Sequence, residues 1–230
     1  MKRLLAPLLA PVVLALAFPP AASAFQVRPV RLELGSRAPA SQLTVHNPTT
    51  RPLLLQAEAF DWSQDGGADR LKPTQALIVN PPIFELAPGA TQVVRVGLRQ
   101  AVESGVERSH RLWLSQVPTP GDVDDGVQLL LRVSLPVFVT GVATPAAQPQ
   151  WRRHGDTLEL HNAGGRHLHV HGLQLLSDQG GSTHFGPCYA LPGQWCRWTL
   201  PAGWSAATTR YDADTSAGPL RGVVDAVAPR

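Results

Sequence analysis

The sequence has few charged residues and only two cysteines, and it lacks the common motifs of catalysis. Asp, Glu, Lys and Arg make up 16% of its 230 residues, against about 25% in typical soluble domains. The basic residues are scattered, so nucleic-acid binding has no clustered footprint. The cysteines form no CxxC redox motif, and there is no GxSxG, HExxH or phosphate-binding glycine loop. We therefore expect neither an enzyme nor a small-molecule substrate or cofactor.

Proline, in contrast, is abundant, with 22 residues, roughly twice its usual share of about 5%. Each proline inside a helix removes an amide donor and costs about 3 kcal/mol, which disfavours long helices. The 43% of hydrophobic residues is ample for a packed core and argues against disorder. The composition therefore predicts a β-rich protein of one large or two ordinary domains.

The first 24 residues have the order of a secretory signal peptide. Lys2 and Arg3 form a basic start, an apolar run covers 4–18, and Ala-Ser-Ala closes the segment at Ala24. An uncleaved anchor is the alternative, and it is disfavoured because the run is shorter than the ~20 residues that span a bilayer. Cleavage after Ala24 would leave 18 basic against 17 acidic residues. We expect export to the periplasm and no later segment apolar enough to cross a membrane.

The rest of the chain divides into two series of short strand-like runs separated by turn residues. The first series fills 25–140 and ends in a long run, Val127 to Val139, in which every second residue is aliphatic. Residues 141–149 (GVATPAAQP) have the composition of a linker. The second series begins at 150 and continues to 230. Several short strands at this spacing predict a β-sandwich or barrel in each part.

Five segments in this order resemble the periplasmic pilus-assembly chaperones of the usher pathway. They are PVRLEL (29–34), LTVHNPTTRPLLLQAEAFDW (43–62), LIVNPPIFELAPGATQVVRVGLR (77–99), ERSHRLWLSQVP (107–118) and RVSLPVF (132–138). The last segment resembles the archaic branch of the family, which serves spore-coat-protein-like pili. The resemblance implies an all-β fold of two immunoglobulin-like β-sandwich domains in an L or boomerang arrangement.

The resemblance also implies a mechanism and partners. Such a chaperone lends the last strand of its first domain to a pilus subunit that lacks one, and an outer-membrane usher receives the subunit. Strand addition of this kind draws affinity from ladder hydrogen bonds and register from alternate side chains. In this chain the lending residues would be Val127, Leu129, Leu131 and Val133. The alternative is that they only fill the protein's own core, and self-association of the free protein is left open.

A pair of basic residues in the cleft is the second implied feature, because the family grips the carboxylate at the end of its subunit there. Arg31 matches the first anchor. The second anchor is a lysine in the family, and Pro136 occupies its place. Arg132 and Arg111 are the candidates to replace it, with solvent-facing strand arginines as the alternative.

Two further groups in the second part call for an interpretation. His167, His169 and His171 alternate along a strand-like run, so their side chains should share one face. They suggest a rival function, a periplasmic metal-binding β-sandwich protein, although we expect no metal there. In an exported protein Cys188 and Cys196 should form a disulfide. A pilus subunit or adhesin is a third hypothesis, disfavoured by the two complete domains.

Overall fold

The computed structural model describes residues 25–102, 105–118, 129–177, 180–204 and 208–227. The predicted leader, residues 1–24, and Val127 of the predicted lending strand lie outside them. The regular secondary structure of the described residues consists of strands, as the proline content predicts. These residues include no helix long and apolar enough to cross a membrane.

The described residues of the first domain form ten strands. They are β1 (Gln26–Arg28), β2 (Leu32–Gly35), β3 (Ala40–His46), β4 (Leu53–Asp65), β5 (Ala68–Pro73), β6 (Leu77–Asn80), β7 (Ile83–Leu86), β8 (Thr91–Leu98), β9 (Arg108–Val117) and β10 (Arg132–Thr140). One sheet has the order β1-β3-β8-β6. The other has the order β2-β10-β9-β4-β5, with β7 also paired to β4.

The two sheets of the first domain enclose one apolar core. Alternate residues of the strands point inward, as in Leu43 and Val45 of β3 and Leu112 and Leu114 of β9, which are all fully buried. The same alternation runs through β10, where Leu135, Val137 and Val139 belong to this core. The opposite face of β10 and β9 is directed toward the second domain and forms part of the site described below.

In the second domain, the part of the chain that the structure describes forms eight strands. They are β11 (Pro149–His154), β12 (Thr157–Asn162), β13 (Leu168–Ser177), β14 (Ser182–Phe185), β15 (Cys188–Ala190), β16 (Trp195–Thr199), β17 (Thr208–Thr215) and β18 (Leu220–Val227). Their pairing follows the order β14-β13-β17-β18-β11-β12-β16, with β15 paired to β13. A second apolar core, separate from the first, lies between these strands.

The disulfide predicted from the sequence, Cys188–Cys196, is confirmed. It joins β15, which pairs with β13, to β16, which pairs with β12. The disulfide therefore cross-links two strands that pair with different neighbours in the second domain. Closing so short a loop contributes roughly 2–3 kcal/mol in the chain-entropy picture.

Both domains have the same asparagine corner, which the sequence shows only as HNPTTR and HNAGGR. Asn47 and Asn162 are fully buried, and their side-chain amides donate to the carbonyls of Arg51 and Arg166, four residues further on. In each domain the backbone of the asparagine also bonds to a facing Pro-Gly turn. A buried amide with all these partners fixes the turn, because an unsatisfied polar group there would cost about 1–3 kcal/mol.

Candidate functional site

Strand β10 has an open edge along its first half. On one side it pairs with β9 from Arg132 to Val139, and on the other β2 covers only Val137 to Thr140. No strand among the described residues pairs with 132–136 on that second side. This segment therefore presents backbone groups to which another strand can add.

The hydrogen-bond pattern shows which backbone groups face this edge. The amide of Gln116 donates to the carbonyl of Leu131 at 2.9 Å. Because antiparallel pairs alternate, Val133 also bonds toward β9, whereas Ser134 and Pro136 direct their backbone groups to the open side. Because the backbone of Pro136 faces the open side, its missing N–H removes no hydrogen bond to β9. A sheet tolerates proline at such an edge position.

The apolar alternation of the core face of β10 continues into the residues just before the strand. Val133 packs against the core, and Leu131 and Leu129 precede it with the same alternation. These two leucines are exposed, Leu129 by 88% and Leu131 by 37%. The strand begins at Arg132 rather than at the predicted 127, so the leucines lie just before it.

A row of side chains crosses the sheet on its other face at Pro136. Pro136 pairs with Arg111 of β9. Arg31 directly precedes Leu32, and Leu32 pairs with Val137, the residue after Pro136. Arg31, just before β2, therefore lies beside Pro136 of β10, and Arg111 of β9 lies on the other side of that proline. Two strand spacings, about 10 Å, separate the backbones of the arginines, and both side chains can reach a ligand over the proline.

Aromatic packing holds Arg111 in place. Its guanidinium lies 3.7 Å from the ring centroid of Trp62 and 5.5 Å from that of Tyr189. The ion pair with Asp69 is long, at 3.7 Å. Burial lowers the pKa of Arg111, but an arginine keeps its charge. The group is therefore a fixed, partly desolvated cation, the kind that binds a carboxylate more strongly than an exposed one does.

The other two arginines predicted from the sequence differ in position. Arg31 is more exposed and pairs with Glu33 at 3.0 Å. Arg132 donates from Nε to Ser115 Oγ at 2.9 Å and stacks over Trp113 at 4.4 Å. It lies four residues before Pro136, roughly 14 Å along the strand. The structure thus brings Arg31 and Arg111 together and leaves Arg132 apart from them.

The two domains meet at a buried carboxylate that the sequence did not single out. Glu107 accepts hydrogen bonds from the backbone N–H of His167 at 2.8 Å and pairs with its Nδ1 at 2.7 Å. The His167 ring stacks on Phe138 of β10 at 3.4 Å. The amide of Glu107 donates to the carbonyl of Gly165. These contacts hold the segment just before β9 against the segment just before β13.

The disulfide-closed loop makes the second contact between the domains. Gln64 of β4 donates to the carbonyl of Tyr189 at 2.8 Å and accepts from the amide of Leu191 at 3.0 Å. Leu191 packs with Trp62 and Phe138 in a small buried cluster that spans the junction. The sequence analysis did not single out Tyr189. Its position directly after Cys188 of the predicted disulfide is the one signal that could have found it.

The alternating histidines share a face, and each contacts a different neighbour. His167 is engaged by Glu107, and His171 Nδ1 lies 3.3 Å from Asp214. His169 stacks on Tyr189 at 3.9 Å and meets the edge of His171 at 4.4 Å. Within the described part of the chain, no three His, Cys, Asp or Glu residues are placed to hold a metal ion.

His169 should make the protein sensitive to acid. Burial, the neighbouring His171 and His167, and the charges of Arg31 and Arg111 lower its pKa from 6.5 to about 4. The unfolded chain therefore takes up this proton first, and stability should fall as the pH drops from about 6.5 to about 4. Urea unfolding at pH 7.5 and 5.0 should show a smaller loss for His169→Gln than for the wild type. An equal loss in both would contradict this prediction.

Comparisons with known proteins bear on the family and the fold. The family model described as "Pili and flagellar-assembly chaperone, PapD N-terminal domain" matches residues 24–143, just over half of the chain. The comparison with curated proteins gives no match.

Three solved structures illustrate the shared fold. A chain of the archaic CsuC–CsuE chaperone–tip adhesion subunit pre-assembly complex from Acinetobacter baumannii is 18% identical, with a TM-score of 0.68 over 90% of this chain and 100% of that one. The CupB2 chaperone of Pseudomonas aeruginosa is 18% identical, with a TM-score of 0.62 over 88% and 100%. A chain of the Salmonella enterica SafA pilin–SafB chaperone complex is 17% identical, with a TM-score of 0.64 over 86% of this chain and 95% of that one. The predicted all-β, two-sandwich fold is confirmed.

Proposed function

The chain belongs to the family of pili and flagellar-assembly chaperones with a PapD N-terminal domain, and we propose that it is a periplasmic donor-strand chaperone. It binds an exported pilus subunit that lacks its last strand, lends β10 to that subunit, and delivers it to an outer-membrane usher. The similarity to the archaic CsuC–CsuE pair supports subunits of the archaic, spore-coat-protein-like branch. Binding and release need no nucleotide, because a competing strand from the next subunit displaces β10.

The open edge of β10 is the observation that carries this proposal. A strand of the subunit that pairs with 132–136 would bond to the backbone groups of Arg132, Ser134 and Pro136 that face outward. The missing N–H of Pro136 costs this ladder one bond. The subunit's own unpaired edge would be covered in return, which prevents its aggregation.

The apolar residues before and at the start of β10 supply the second part of the binding free energy. Leu129, Leu131 and Val133 would enter successive pockets of the subunit's open groove, and Val127 has the same alternation in the sequence. Full burial of a leucine is worth about 1.5–3 kcal/mol. Because Leu129 and Leu131 are exposed in the free protein, this free energy is available to a partner rather than to the chaperone's own core.

Arg31 and Arg111 form the anchor in this proposal. Their backbones lie on either side of Pro136, and a C-terminal carboxylate bound between their side chains would fix the register of the subunit strand on β10. Arg111 thus takes the part of the lysine that the family has at the position of Pro136. Arg132 is too far along the strand to share the same carboxylate.

Co-expression with a pilus subunit from the same genome tests the proposal. One subunit is native and lacks its last strand. The control subunit carries the missing strand fused at its own terminus, so that its groove is already filled. We expect the chaperone to co-purify with the native subunit and to keep it soluble, and we expect no complex with the filled subunit.

Two results would count against the proposal. Equal binding of both subunits would show that the groove is not what the chaperone recognises. A native subunit that stays soluble without the chaperone would show that capture is not its task. A synthetic peptide with the sequence of the missing strand should, in addition, release the subunit from the complex.

A further inference from the structure

We propose that the second domain completes the carboxylate anchor with two neutral hydrogen-bond donors, the phenol of Tyr189 and the imidazole of His169. This inference rests on the proposed function, because it assigns further residues to the same site. It makes the anchor a site between the domains, so that the end of the subunit chain bonds to both of them.

The positions of the two rings support this assignment. Tyr189 of β15 pairs with His169 of β13, and their rings stack in parallel, 3.9 Å apart at an angle of 3°. The other side of the stack faces the first domain, where the Tyr189 ring meets Trp62 edge-on at 5.3 Å. The guanidinium of Arg111 lies 5.5 Å from the Tyr189 ring.

Arg31 approaches the same place from the other side of Pro136. The charges of Arg31 and Arg111 both act on the phenol of Tyr189 and on the imidazole of His169. Two cations of the first domain and two aromatic donors of the second thus converge on one part of the cleft. Both rings are half-buried and held by stacking, so a ligand would find them already in position.

Neither donor is occupied within the protein. Over the described ranges, neither the Tyr189 hydroxyl nor a ring nitrogen of His169 has a hydrogen-bond partner, although the backbone of His169 bonds to Ser216. Glu107 and Asp214, by contrast, engage His167 and His171. A half-buried donor without a partner is suited to a ligand that supplies acceptors.

The protonation states suit a carboxylate. Burial raises the pKa of Tyr189, which keeps its hydroxyl protonated, and the His169 pKa of about 4 leaves a neutral ring with one N–H at neutral pH. A carboxylate has about four lone-pair sites. Arg31 and Arg111 can fill part of them, and two neutral donors fill the rest without adding charge repulsion between cations.

Two substitutions remove the donors but keep the stacked rings, Tyr189→Phe and His169→Phe. Binding is measured with a native pilus subunit and with the same subunit extended by two glycines, which moves the carboxylate away from the anchor. Each substitution should weaken binding of the native subunit about tenfold, which is the lower end of the range for a hydrogen bond to a charged group. Binding of the extended subunit should stay within twofold of wild type.

The outcomes separate this inference from the proposed function. If the wild type binds both subunits equally, the carboxylate anchor itself is wrong, and the inference fails with it. If the wild type prefers the native subunit and both substituted proteins keep that full preference, only the inference is overturned. A loss of equal size with both subunits also overturns it, because the rings then act through packing.

A spectroscopic measurement tests His169 without substitution. In the free chaperone its imidazole pKa, followed by NMR, should be near 4. A carboxylate bound beside it favours the protonated form and should raise that pKa. The increase is expected with the native subunit and not with the extended one. An unchanged pKa in the native complex would overturn the assignment of His169.

Discussion

Replacing Leu129 and Leu131 together with aspartate should abolish capture of the subunit and leave the chaperone folded. Both side chains are exposed in the free protein, Leu129 almost completely, so their loss opens no cavity in the core. In the complex each would be buried, and losing two buried leucines costs about 3–6 kcal/mol. Affinity for the subunit should fall by a factor of at least about a hundred, as measured by co-purification and titration.

Leu130→Asp is the matched control, since Leu130 lies between the two leucines and is also exposed, by 43%. Its side chain alternates to the opposite face, so its replacement should change affinity only slightly. If Leu130→Asp weakens binding as much as the pair does, the alternate pocket register is wrong. If the double substitution leaves capture intact, β10 is not the lent strand.

Removing either arginine of the anchor should cause the second largest effect. Arg31→Ala and Arg111→Met should each weaken binding of the native subunit about 10- to 150-fold, because hydrogen bonds to charged groups are worth about 1.5–3 kcal/mol. Methionine retains an apolar stem over Trp62, so the packing at the domain junction changes less than with alanine. Transfer of the subunit from its complex with the wild-type chaperone to each substituted chaperone, measured at equilibrium, gives the relative affinities.

Arg132→Met is the control for this pair. Arg132 is a cation on the same strand as Pro136, but it is bonded to Ser115 and lies four residues away from Pro136. We expect its affinity to stay within about threefold of wild type. A larger loss for Arg132→Met than for Arg111→Met would transfer the second anchor to Arg132. Wild-type affinity in Arg31→Ala would exclude the anchor altogether.

The sequence predicted the existence of the strands better than it predicted the residue at which β10 begins. Turn residues and alternation marked the two series of strands and the core side of Leu135 and Val137. The run from Val127 to Leu131 alternates in the same way, yet Leu129 to Leu131 precede the strand and are exposed. Alternation shows that a face is apolar, and it does not show whether the protein's own core or a partner will cover that face.

The histidines illustrate the opposite case. Their spacing correctly placed them on one face of the second domain, but their partners come from elsewhere in the chain. Glu107 is sixty residues away from His167, and Tyr189 reaches His169 only because β15 pairs with β13. Contacts of this kind depend on the packing of distant segments, and no local pattern encodes them.

The sequence by itself determined that this is a proline-rich, all-β protein in two parts, with a disulfide in the second. Those properties follow from local rules: proline disfavours helices, alternation makes strands, and two cysteines of an exported chain pair. Its resemblance to the family named Arg31 as the first anchor, but it could not choose between Arg111 and Arg132 for the second. Only the tertiary structure placed Arg111 beside Pro136, because strand register brings together residues that are 25 positions apart. In the proposed anchor, Arg111 of the neighbouring strand supplies the charge that Pro136 lacks.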